Sequence, residues 1–90
     1  MFKKLKFIDT SYSNKKQAKK FYKNGYGVSV IIGDISYGGS QGLYELAVLK
    51  GDEDRWEICY STPITDDVLG YLTEEDVSKY MKMVKKLERV

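Results

Sequence analysis

Residues 26–61, YGVSVIIGDISYGGSQGLYELAVLKGDEDRWEICYS, decide the fold. Val28, Val30 and Ile32 alternate with smaller residues, which is the period of a strand. Leu43 to Lys50 repeats that period with Tyr44, Leu46 and Val48 on one face. Leu43, Ala47 and Leu49 make its other face apolar too, as a central strand requires. Arg55 to Ser61 adds Trp56, Ile58 and Tyr60 on one face, with Cys59 on the opposite one. The polar turn Gly51 to Asp54 and the long glycine-bearing turn before Leu43 connect the three runs into an antiparallel meander.

Upstream, FKKLKFI at residues 2–8 puts Leu5 and Phe7 on one side of an extended segment and predicts an edge strand guarded by lysines. Ser13 or Asn14 then caps a predicted helix that runs to about Asn24. Ala18, Phe21 and Tyr22 are its apolar stripe and Gly25 its left-handed stop. Downstream, Thr62-Pro63 ends the meander, and residues 64–72 read as irregular, broken by Asp66, Asp67 and Gly70. A second helix follows Thr73. Asp76 completes its cap, Glu74 and Glu75 lie at the positive end of the dipole, and Val77, Tyr80, Met81, Val84 and Leu87 form its stripe. The expectation is one α+β domain over residues 1–90, in the order β-α-β-β-β-α: a three- to four-stranded antiparallel meander with both helices on one face.

Composition narrows the function. The chain has no histidine and one cysteine, so the commonest general base is missing and no disulfide or thiolate zinc site forms within it. Neither an apolar leader after the N-terminal lysines nor an apolar run of membrane-spanning length occurs. The expectation is a cytoplasmic, non-enzymatic protein without a cofactor or metal. Asp66-Asp67 with Glu74, Glu75 and Asp76 could gather carboxylates for a hard cation, but the spacing matches no calcium loop and the helix already uses the last three. The loop Gly33 to Gly42 lacks the Gly-Lys-Ser/Thr ending of a phosphate loop and leads into a strand, so a hairpin needing positive φ explains it better. Tyr37 stands at its tip.

The net charge of +2 hides a segregation. Residues 1–24 carry eight lysines against Asp9, and residues 77–90 carry five basic residues against Glu88. The acids are concentrated between them. Lys15, Lys16, Lys19, Lys20 and Lys23 would line one side of the first predicted helix. That arrangement suits non-specific contact with nucleic-acid phosphates, since the chain's two arginines are too few for bidentate base readout. Ile64, Leu69 and Tyr71 either tuck under the sheet or meet a partner. A homodimer through the outer face of the sheet would cover Leu43, Ala47 and Leu49.

The succession NGYGVSVIIG, GLYELAVLK and ICYSTPITDDVLGYLTEEDV, within a span from about Thr10 to Leu87, resembles a group of small uncharacterised proteins encoded by bacteriophages and prophages of Gram-positive bacteria. Its most specific part is TPITDDVLGYLT. The resemblance implies a genomic setting and carries over no catalytic or ligand residues. Accessory proteins of that kind often bind a host protein and disable or redirect it, CRISPR nucleases included. The expected function is therefore binding of a host or phage protein, through Tyr37, Asp66, Asp67, Leu69 and Tyr71. Nucleic-acid binding through the lysine-rich first helix is the alternative.

Overall fold

The computed structural model describes residues 2–9, 15–33, 42–60, 62 and 68–88, with Asp9 and Lys15 described by backbone alone. The class is α+β, an antiparallel sheet carrying, among the described residues, one α-helix. The strands are β1 (Ile8–Asp9), β2 (Lys15–Phe21), β3 (Tyr26–Gly33), β4 (Tyr44–Gly51), β5 (Trp56–Ile58) and β6 (Leu69–Leu72), and the helix is α1 (Glu74–Lys85). Spatial order follows chain order from β1 to β5. β6 joins the same edge of β4 that β5 uses, pairing Tyr44 and Leu46 while β5 pairs Leu49 to Gly51.

The expected meander is present as β3, β4 and β5. The expected first helix is not: every residue from Lys15 to Phe21 pairs with β3. KKQAKKF holds one aliphatic residue, too little for a helical stripe. As a strand it places Ala18 opposite Val30, where it is buried, and satisfies the backbone of β3. Sheet pairing therefore outweighs the helix preference of lysine and glutamine. Gly25 has the anticipated positive φ, 88°, but uses it in the β2–β3 turn. The predicted N-terminal strand shrinks to Ile8–Asp9 and is preceded by a 3-10 turn, Phe2–Lys4. Leu5 and Phe7 pack inward as the alternation implies, with Lys3, Lys4 and Lys6 exposed. The segment expected to be irregular ends in β6, so a strand stands where Gly70 had suggested only a break.

One core lies between the sheet and α1. Val28, Val30, Leu46, Val48, Cys59 and Leu72 meet Val77, Met81 and Val84 from the helix. Thr73 caps that helix as its sequence predicts. Its side chain accepts from the backbone N–H of Asp76, whose carboxylate accepts in return from the backbone of Thr73. Those hydrogen bonds hold the Asp76 carboxyl below the usual range. The N-terminal segment is clamped across the helix and sheet. The Phe2 backbone N–H donates to Ser78 Oγ at 3.0 Å, and the Phe2 ring meets Tyr44 edge-on at 4.9 Å.

The opposite face of the sheet is tiled with small residues. Gly27, Ser29 and Ala47 are buried there beside Leu49, which is fully enclosed. Lys19 Nζ stands 4.7 Å from the centre of the Trp56 ring, so two side chains from β2 and β5 meet over β3 and β4. Small residues beneath them leave the room. Ala47 and Leu49, which the sequence alone leaves in need of a cover, are already buried in a single chain.

Candidate functional site

Two surfaces carry the chemistry. The first is an open groove of about 870 Å³ between the end of β2, the β2–β3 turn, the N-terminal segment and the last turns of α1. Lys4, Lys20, Lys23 and Lys85 line it. Leu5, Tyr22, Met81 and Leu87 make its apolar floor, and among the described residues no carboxylate lines it. The two basic segments of the sequence, remote along the chain, thus converge on one concavity. Alternation along β2 explains which lysines arrive. Lys16 and Lys20 pair with Ile32 and Val28 and share the helix side of the sheet, whereas Lys19 pairs with Ser29 and points to the other side.

Asn24 builds the wall of this groove. Its side-chain amide donates to the carbonyl oxygens of Val84 at 2.8 Å, Leu87 at 3.1 Å and Lys85 at 3.2 Å, while its oxygen accepts from the Tyr26 N–H at 3.0 Å. A turn residue of β2–β3 thereby caps carbonyls at the helix C-terminus, that of Val84 also accepting from the Leu87 N–H at 3.1 Å. On the floor, the Tyr22 hydroxyl is buried and has no hydrogen-bond partner among the described residues. Burial pushes its pKa up to about 12.

The second surface is the β5–β6 edge. Among the described residues six large hydrophobic side chains are exposed, and four of them, Trp56, Ile58, Tyr60 and Tyr71, lie on these two strands or directly after β5. Tyr71 is 58% exposed and adopts φ 58°, the left-handed region that non-glycine residues avoid. A bulge causes this. Between the pairs Tyr44↔Leu72 and Leu46↔Leu69, β6 has two residues, Gly70 and Tyr71, where β4 has only Glu45.

Of the residues expected to meet a partner, Tyr71 is thus on the surface, and Leu69 is half-buried against the core. Tyr37, Asp66 and Asp67 lie outside the described residues. The lysine set does not form one face, because its helix is a strand. Lys20 and Lys23 enter the groove, Lys19 lies over Trp56, and Lys16 is exposed on the helix side of β2. Lys85 and Asn24 were not singled out as site residues by sequence; Lys4 belongs to the basic N-terminal segment, and Tyr22 was read as part of the apolar stripe of the expected first helix and as a ring able to stack on bases.

Two of the acidic positions, Asp76 in the helix cap and Asp52, have structural uses. Asp52 Oδ1 accepts from the N–H groups of Asp54 and Arg55, both at 2.9 Å, which closes the β4–β5 turn. Among the described residues no three His, Cys, Asp or Glu side chains form a metal-binding group, and Cys59 is buried in the core. Among the described residues no helix is long and apolar enough to cross a membrane. Comparison with protein-family models, curated proteins and solved structures finds no match to this chain.

Proposed function

We propose that the protein is a non-enzymatic binding module that docks on another protein through its β5–β6 edge. The observation that carries this is the concentration of exposed Trp56, Ile58, Tyr60 and Tyr71 on one edge of the sheet. Aromatic side chains are the usual anchors of protein interfaces, since they bury much area at small cost in rotamer entropy. The left-handed Tyr71 adds weight. Such a conformation costs about 1–2 kcal/mol, and here it serves an exposed ring rather than the core. β5 and β6 pair only with β4 among the described residues, and a partner's strand added beside them would extend the sheet. The resemblance to small phage-encoded proteins implies that the partner is a host or phage protein, a nuclease of host defence among the candidates.

The test is affinity capture from a Gram-positive lysate at high salt, with the wild type beside Trp56→Ala and Tyr71→Ala. A discrete protein retained by the wild type should be lost by about tenfold or more with either variant, as expected for interface anchors. The thermal midpoint of Tyr71→Ala should stay within a few degrees of the wild type. An unchanged set of captured proteins in both variants removes the edge as the docking surface.

A further inference from the structure

We propose that the groove between α1 and the end of β2 binds single-stranded nucleic acid, a property separate from docking through the aromatic edge. Lys4, Lys20, Lys23 and Lys85 surround a concave apolar floor, and no carboxylate among the described residues lines it. Four like charges drawn to one concavity repel one another, and a polyanion laid between them relieves that repulsion. Beyond the lining, Lys82 and Lys86 sit exposed on or beside the same last turns of α1 and extend the positive field. The acidic β4–β5 turn approaches the β2–β3 turn through a hydrogen bond from the Gly51 N–H to the Gly25 carbonyl, 2.8 Å. None of its carboxylates lines the groove.

The shape selects the strand state. A duplex is convex and is read by an element that projects into it, whereas a concave, lysine-rimmed trough accepts a flexible strand with its bases turned inward. Here the floor offers bases Leu5, Met81 and Leu87 together with the Tyr22 ring. All four lining cations are lysine. A lysine is a compact point charge without the fixed fork of arginine, so the grip should follow phosphate spacing rather than base sequence.

The test is fluorescence anisotropy of the full chain with labelled single-stranded DNA and RNA of roughly a dozen nucleotides, and with the matching duplex. Single strands should bind at low salt with little sequence preference. The logarithm of the affinity should fall against the logarithm of salt with a slope of about −3, the value for four phosphates on a single strand. Lys20→Glu with Lys85→Glu should weaken binding at least about tenfold and flatten the slope, while leaving the circular dichroism spectrum and thermal midpoint intact. Lys50→Glu with Lys79→Glu changes net charge equally away from the groove lining and should have a much smaller effect. Tighter binding of duplex than single strand, equal losses in the two double variants, or no binding at low salt overturns the proposal.

Discussion

Tyr22 shows how one atom sets a pH response. Its hydroxyl is buried and unpartnered among the described residues, a state that costs about 1–3 kcal/mol relative to a hydrated phenol. Tyr22→Phe removes the orphan group and keeps the ring, so the variant should be at least as stable as the wild type at neutral pH. The titration gives a second reading. Below about pH 10 the folded and unfolded chains both hold the phenolic proton; between about pH 10 and 12 the unfolded chain loses it while the fold, with its pKa raised to about 12, keeps it. The unfolded state then binds fewer protons, so this group's contribution to stability falls as pH rises through that window. The difference between wild type and Tyr22→Phe in urea unfolding, followed across that window, isolates the tyrosine. The ring is only half-buried, which makes the loss smaller than the full shift implies. An identical pH dependence in the two proteins refutes the assignment.

At the scale of elements, the β2–β3 turn and the end of α1 depend on one side chain. Asn24→Ala strips the amide donor from the carbonyls of Val84, Lys85 and Leu87 and the acceptor from Tyr26, and should cost about 1–2 kcal/mol. Asn24→Asp should cost more, because a carboxylate keeps the acceptor but faces the negative end of the helix. Denaturant midpoints of the two variants check the order. α1 was legible because its signals are local: the Thr73–Asp76 cap, acids first and lysines last, and a regular apolar spacing. β3 and β4 were legible because each is a run of β-branched and other apolar residues, of strand length and bounded by turn residues, that fills both faces. β2 was misread because Asn14, the spacing of Ala18, Phe21 and Tyr22, and Gly25 satisfy helix rules locally, whereas the reason for a strand is the edge of β3, a partner distant from any local rule. β6 escaped notice because its bulge breaks the alternation that would have announced it.

For the whole molecule, charge segregation was visible in the sequence, but its convergence was not. The basic ends meet only because β2 is a strand that splits its lysines between two faces and because α1 finishes beside the β2–β3 turn. The aromatic edge was half visible, with Tyr71 anticipated, while Trp56 and Ile58 are placed facing away from the helix only by pairing with Gly51 and Leu49. The groove lies on the helix side of the sheet, Trp56 and Ile58 face away from the helix, and the groove and the edge share no lining residue. Substitutions that far apart act independently, within about twofold in affinity. Trp56→Ala should therefore leave single-strand affinity within about twofold of the wild type, and Lys20→Glu with Lys85→Glu should leave protein capture at high salt unchanged. Lys19→Ala is the informative exception. Its ammonium holds the Trp56 ring from the far side of β2, so its loss should weaken protein capture through the aromatic edge while sparing the groove. Measuring both ligands on this set of variants separates the surfaces, and a Lys20→Glu, Lys85→Glu protein that loses its protein partner at high salt would mean that the groove and the edge grip one and the same ligand.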